Sequence, residues 1–342
     1  MAIIVFYCND TIENMQVTEY YLQDIEALKA LGHEVVVCNR YRDIPLRFDL
    51  LFIWWWTYAL YPILIAKLLG RKSVVTGVFN FRFRVNDKNY GYFSRPIQQR
   101  LPIWLGMKLA DANLFVSQQE FYEVTSYFRL KRSFYFPCSI SEEFFEGKNL
   151  AVSRQGLLNI SWSGTGNLER KGVWDILDAM KILKERGVRV QLTLAGLVGD
   201  GFPALVRRID ELGLQDYVQA VGRVSKEEKI QLLAKAKLYL QPSHFEGFGL
   251  ATAEAMAAGC CAITCDVGEV RNVIGDCAHY VKPGQPAELA SAIEMLLTDE
   301  RTQLEFNMRS TIRLKALYSF SKKISTLASI IRSLGLIGSK NL

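Results

Sequence analysis

The chain has 342 residues, half of them hydrophobic and 22% charged, with 41 Lys and Arg against 35 Asp and Glu. That length suits two domains with a core each, and the composition excludes a disordered, collagen-like or coiled-coil chain. The net charge of +6 is uneven: residues 1–150 carry +2, residues 151–300 carry −3 and residues 301–342 carry +7. A basic tail suits an anionic surface, whereas no nucleic-acid motif or continuous basic helix is present, so nucleic acid is not an expected partner. Met1 to Tyr7 lacks the basic region and cleavage site of a secretory signal and reads as a first strand. The seven cysteines include no Cys-x-x-Cys pair, so neither a disulfide framework nor a zinc ribbon is expected, and a reducing cytosol is the expected setting.

In chain order, short apolar strands alternate with amphipathic helices. Ile3–Tyr7 is an expected strand, Gln16–Leu31 a helix closed by Gly32, and Glu34–Cys38, Leu50–Trp54 and Ser73–Thr76 further strands. Phe52–Leu69 is nearly all apolar, but Pro62 and Lys67 interrupt it, so it reads as a buried strand followed by a helix from Tyr58 to Leu69 rather than a membrane span. Asn113–Val116 and Ser133–Phe136 are strands around a helix at Gln118–Phe128. The alternation restarts with a strand at Leu157–Trp162, a helix at Gly172–Arg186 and a strand at Val188–Ala195. Ser225-Lys-Glu-Glu228 is a capping box opening a helix to about Ala236. Strands at Leu238–Gln241, Ala262–Thr264 and Ala278–Val281 alternate with helices at Leu250–Ala258 and Ala287–Leu297, and Ser319–Leu334 is a last amphipathic helix. Continuous apolar strands between helices predict two successive doubly wound α/β units, with the ligand site in the cleft between them.

The segment Pro242-Ser-His-Phe-Glu-Gly-Phe-Gly-Leu-Ala-Thr-Ala-Glu254 carries the most chemistry. A strand ends at Pro242 and a helix begins near Leu250, which places Glu246 at the carboxyl edge of a sheet and Glu254 in the first turns of the helix. The helix amino end offers N–H donors to a phosphate, and Gly247 and Gly249 let the backbone approach a ligand. Taken alone, Glu254 also fits a helix-dipole partner. Ser163-Gly164-Thr-Gly166-Asn-Leu-Glu-Arg170-Lys171-Gly172 is a second strand-to-helix turn whose cations can reach diphosphate oxygens without a metal. His244 either lines the site or supports its loop. No Asp-x-Asp, serine-hydrolase elbow or Gly-x-Gly-x-x-Gly after the first strand is present, so no metal and no cofactor are expected.

The Glu246-x7-Glu254 string, Val221-Gly-Arg-Val-Ser-Lys-Glu-Glu228, the Lys171-Gly172 pair and Ala258-Gly259 resemble the retaining family-4 glycosyltransferases (glycosyl transferases group 1). Leu31-Gly-His-Glu-Val35, Ala110–Ser117 and Phe136–Ile140 resemble them more loosely. The resemblance implies an α/β GT-B fold of two Rossmann-like domains facing a cleft. The acceptor side would be residues 1–150, with a helix of about 319–340 crossing back, and the nucleotide-sugar side residues 151–318. It implies transfer of a hexose, with retention, from a UDP- or GDP-linked sugar to a glycan or lipid-linked glycan, as in cell-surface polysaccharide synthesis. Glu246 would hold the donor sugar, Glu254 the ribose, and Lys171 with Arg170 the diphosphate; His244, Gly247, Phe248, Gly249 and Leu250 would complete the donor site. The family's arginine five residues before the lysine is Gly166 here, which leaves Arg170 or N–H groups of a Gly164–Gly166 loop to compensate. The family's glycine pair after the first strand and histidine after the fourth are also missing, Asn80 standing near the latter. A GT-B sugar-nucleotide epimerase or an inactive partner subunit are the rival readings.

Residues 79–100 hold six aromatics, five basic groups and one acid. They suit either a loop that stacks on sugar faces and contacts phosphate or a membrane surface, with Asn80 (able to hydrogen-bond a sugar hydroxyl), Arg82 and Arg84 on the acceptor side, or a half-buried aromatic loop with solvated arginines. With the basic tail, they predict a cytoplasmic protein peripheral to the inner face of the membrane.

Overall fold

A computed structural model of the chain describes residues 1–82, 84–85, 88–89, 91–147 and 153–336. Two compact units divide it: Met1–Ser139 with Tyr318–Leu342, and Ile140–Leu317. Residues 140–147 thus group with the second unit, whereas the sequence boundary is drawn at 150.

The first unit runs β1 (Ile3–Cys8), α1 (Ile12–Val17), α2 (Glu19–Ala30), β2 (Glu34–Cys38), β3 (Leu50–Trp54), α3 (Leu60–Leu68) and β4 (Lys72–Gly77). A short antiparallel ribbon, β5 (Arg84–Val85) and β6 (Lys88–Asn89), precedes α4 (Ile97–Leu109), β7 (Ala112–Phe115), α5 (Gln118–Phe128) and β8 (Ser133–Tyr135). Its parallel sheet has the order β2-β1-β3-β4-β7-β8. β1 and β3 are buried nearly throughout, since helices cover both faces. The single helix expected over Gln16–Leu31 is two, α1 and α2, parted at Thr18, whose extended backbone also receives the end of α1. The predicted Phe52–Leu69 strand and helix appear as β3 and α3, and no helix among the described residues is long and apolar enough to cross a membrane.

The second unit runs α6 (Glu142–Gly147), β9 (Leu157–Ile160), α7 (Thr165–Arg170), α8 (Val173–Glu185), β10 (Leu192–Ala195), α9 (Phe202–Glu211), β11 (Val218–Gly222) and α10 (Lys226–Lys235). It continues through β12 (Leu238–Gln241), α11 (Leu250–Ala257), β13 (Cys261–Cys265), α12 (Val270–Ile274), β14 (His279–Val281), α13 (Pro286–Thr298) and α14 (Glu300–Tyr318). The sheet order is β11-β10-β9-β12-β13-β14, all parallel. The capping box opens α10 as expected, Ser225 Oγ accepting from Glu228 N and Glu228 accepting from Ser225 N. One apolar core, led by Ile176, Leu177, Met180, Ile263 and Ile293, joins this sheet to α8 and α13. The last helix, α15 (Phe320–Ser333), returns to the first unit and packs on α2. Lys323 is buried there, its Nζ 2.7 Å from the equally buried Asp24 Oδ1, while Trp54 Nε1 donates to Asp24 Oδ2 at 2.8 Å.

Candidate active site

In the second sheet the chain winds from β9 outward to β11, then returns across β9 to β12. Ligands of open α/β sheets bind at such a reversal, outside the carboxyl ends of the strands. β9 and β12 pair only at Leu157↔Leu238 and Leu158↔Tyr239. Beyond that they diverge, and the buried Asn159 side chain spans the gap by donating to Leu240 O at 2.7 Å. The segments that leave these two strands carry Lys171 and Glu246.

Lys171 Nζ lies 2.6 Å from Glu246 Oε1, with Arg170 Nη1 3.8 Å from Glu246 Oε2. Ser243 Oγ donates to the same Oε1 at 2.8 Å, and Gln241 Nε2 donates to Ser243 Oγ and to Lys171 O, so a buried polar chain fixes the carboxylate. Burial by itself raises the Glu246 carboxyl; Lys171, then Arg170, and the hydrogen bonds more than offset this and hold it below the ordinary carboxylate range. Burial pulls the Lys171 ammonium down, against the pull of Glu246. Arg170 is itself oriented, Nη1 donating to Phe245 O at 3.0 Å and Nη2 to Asn167 Oδ1.

Glu246 O lies against Gly268, where a Cβ would stand 1.8 Å away, and a Cβ on Gly172 would stand 2.1 Å from Pro242 O. Both glycines have positive φ, so the loop 242–249 is clamped at two points where only glycine fits. Gly249, also at positive φ, is the residue before α11, and the first N–H groups of α11 have no partners within the helix. Phe248 is buried, and Leu250 begins α11.

Glu254 sits in the second turn of α11, fully buried, its Oε2 2.6 Å from Lys229 Nζ of α10. Lys229 also stands over the Phe144 ring at 5.0 Å. Glu254 contributes to the electrostatic field at Lys171, so the three sequence candidates share one neighbourhood. The partners Ser243, Gln241, Lys229 and Asn167 are not identified from sequence, although Ser243 and Asn167 fall within the quoted motifs. His244 does not turn to Glu246. Its Nε2 is 3.1 Å from Asp175 Oδ2, which also accepts from Gly284 N at 3.2 Å, and this hydrogen bond raises the imidazole above its ordinary value. His244 thus ties the loop to α8.

The expected Gly164–Gly166 donor loop is instead the start of α7: Gly164 precedes the helix and Gly166 lies inside it. Asp200 Oδ1 accepts from Thr165 N at 2.9 Å, so a carboxylate already occupies that helix start. Arg170 follows at the end of α7, beside Glu246. In the first unit, Asn80 adopts positive φ (57°) between two N–H groups, of Phe79 and Phe81, that donate to Glu120 at 2.9 Å each. Arg82 is exposed and 3.7 Å from Glu123; the Arg84 side chain lies outside the described residues. Of the aromatics of the 79–100 segment, Phe79, Phe81 and Tyr92 are buried with Phe128, Phe93 is exposed, and Phe83 and Tyr90 lie outside the described residues.

The family model described as glycosyl transferases group 1 matches residues 165–313, the stretch that holds Lys171, Glu246 and Glu254. These residues belong to the glycosyl transferases group 1 family. Within the curated proteins, the MMP alpha-(1->4)-mannosyltransferase of Mycolicibacterium hassiacum is 36% identical over 169 residues, 48% of this chain and 39% of that protein. The O-antigen chain mannosyltransferase B of Escherichia coli is 28% identical over 147 residues, 41% of this chain and 39% of that protein. The chain thus spans about two-fifths of the length of these relatives. Sucrose-phosphate synthase from Thermosynechococcus elongatus superposes with a TM-score of 0.77 at 17% identity, over 98% of this chain and 99% of that one. Anabaena HepE in complex with UDP superposes with a TM-score of 0.74 at 15% identity, over 97% and 100%. The fold is GT-B.

Proposed function

We propose that the chain moves a hexose from a nucleoside diphosphate sugar to a hydroxyl of a glycan or lipid-linked glycan, with retention and without a metal ion. The observation that carries this is the Lys171–Glu246 pair at the strand reversal, with Arg170 behind it and Glu254 on the neighbouring helix. Two cations and one carboxylate leave a net positive charge beside the amino end of α11, which suits a diphosphate. Glu246, held ionised and acceptor-only, suits sugar hydroxyls as donors, and Glu254 suits those of a ribose. In the reaction the anomeric C–O bond to the diphosphate breaks and the acceptor oxygen bonds the same carbon on the same face. The negative charge that builds on the departing diphosphate is met by Lys171 and Arg170, and that diphosphate takes the acceptor proton. HepE crystallised with UDP and with UDP-glucose supports a nucleoside diphosphate sugar as donor, and the mannosyltransferase relatives support transfer of a hexose.

A thermal-shift panel of UDP-, GDP- and ADP-sugars tests the donor class, since a ligand that binds only the folded state raises the midpoint by mass action. One nucleotide series should raise it in the native chain and lose that effect in Glu254→Ala; a flat panel would refute the proposal. A second reading, a sugar-nucleotide-binding subunit without turnover, is favoured by Gly166 and the Asp200-capped start of α7. Release of free nucleoside diphosphate in the presence of acceptor separates the two.

A further inference from the structure

The first unit carries an exposed face that the chemistry of the second unit does not use. On α3, Tyr61, Leu64 and Leu68 are exposed at helical spacing, Leu68 at 87% and Tyr61 at 71%. On α4, which packs against α3, Ile97, Leu101 and Trp104 form a second exposed stripe, Ile97 at 63%. The stripes continue into Lys67 and Lys108, and both lysines line one cavity of about 520 Å³, together with Arg129, Lys131 and Arg132. Its one acid, Asp111, is taken by Lys72 at 3.0 Å and by Ser73 N. Tyr58 and Tyr41, the latter tilted against Tyr61 at 6.4 Å, add exposed aromatic rings. Over residues 50–110 the sequence holds nine basic side chains and one acid.

Cations at the ends of α3, α4 and α5 complement the helix dipoles, but that leaves two apolar stripes in water unexplained. We infer that the α3–α4 face docks on an anionic lipid bilayer, Tyr61, Leu64, Leu68, Ile97, Leu101 and Trp104 entering the interface while the Lys67–Lys108 cavity receives lipid phosphates. Apolar side chains beside a cluster of cations match the two components of interfacial binding, and neither helix is long enough to span. This assigns the membrane contact to α3 and α4 rather than to the 79–100 loop, whose aromatics Phe79, Phe81 and Tyr92 are buried, or to the basic tail. It stands apart from the donor chemistry, because docking is read without any sugar nucleotide.

The test is sedimentation of the full chain with vesicles of phosphatidylcholine alone and of phosphatidylcholine mixed with phosphatidylglycerol, at low salt. Binding should require the anionic lipid. Lys67→Ala with Lys108→Ala should weaken it on the order of thirtyfold, two cations at the surface value for each. Leu68→Ser with Leu101→Ser should abolish the part that survives high salt. Lys322→Ala with Arg332→Ala, removing the same charge from α15, should leave binding unchanged. Equal recovery with both vesicle types, or an α15 pair as damaging as the α3–α4 pair, would overturn the inference. So would light scattering that shows a dimer, without vesicles, that the serine pair dissociates, since a second copy would then own the face.

Discussion

Replacing Lys171 by methionine removes one member of a buried ion pair and keeps most of its bulk. Glu246 would then be left in a site that is almost fully closed, with Ser243 still donating and Arg170 still 3.8 Å away. Breaking a buried pair from one side costs roughly 3–5 kcal/mol, and the surviving partners put this case at the lower end, about 3 kcal/mol. For a unit of 178 residues (Ile140–Leu317) that corresponds to a fall in melting temperature of roughly 6–12 °C. Pairing the change with Glu246→Gln removes the stranded charge, so the double variant should recover about 2 kcal/mol of the loss while remaining without transfer activity. The pH dependence has a fixed sign. Glu246 is held below its reference value of 4.5, so its contribution is complete above that value and is lost as pH falls through the folded-state value. The gap between the native chain and Lys171→Met should therefore close in acid. Urea unfolding of the four chains of this cycle, followed by tryptophan fluorescence across acidic and neutral pH, measures the coupling. Additivity within about 0.5 kcal/mol would refute the idea that the pair acts as a unit.

Three further outcomes are expected. His244 is raised above 6.5 by Asp175, so the stability it adds is full below that value and fades as pH rises through the folded one; His244→Asn should flatten melting temperature against pH over that window. Gly268→Ala sets a Cβ into Glu246 O at a residue of positive φ, and neither backbone can retreat, so the variant should be destabilised by about 3 kcal/mol or more, read by calorimetry. Lys323→Met strands the buried Asp24 between α2 and α15 and should cost about 3 kcal/mol in urea unfolding, whereas Asp24→Asn with Lys323→Met should restore much of it.

The strand alternation was open to sequence reading because strands covered on both faces are mostly apolar, and β1, β3, β12 and β13 are, with only Gln241 of β12 and Thr264 of β13 plainly polar. α4 hides behind Pro102, which reads as a breaker, and behind an apolar stripe that faces outward and so blurs the amphipathic pattern. β10 begins only at Leu192, where pairing with β9 and β11 starts, although the alternating Val188-Arg-Val-Gln191 before it reads as strand. Glu246, Glu254 and Lys171 are singled out in sequence because the strings around them resemble a family motif, and the structure brings the three into one neighbourhood. Lys229 is not singled out: it reaches Glu254 from another helix, 25 residues away, and a lysine on α10 looks like any solvated one. The 79–93 aromatics could be read two ways because composition does not say which side of a loop faces a core. Glu120, about 40 residues on, fixes the backbone around Phe79 and Phe81 by accepting from their N–H groups, a partner that composition does not reveal.

The loop from Pro242 to Gly249 is held in place by the fold itself. Its start presses on Gly172, its middle on Gly268, and His244 ties it to Asp175, so the chain has little freedom before any ligand arrives. Glu246 stands between the two clamps and receives Lys171 from a segment that leaves the adjacent strand. A carboxylate in that position needs a cation to remain ionised in a buried place, and Lys171 supplies it. Pre-organisation of this kind lowers the ordering cost of binding, because the charges are fixed by folding rather than by the donor.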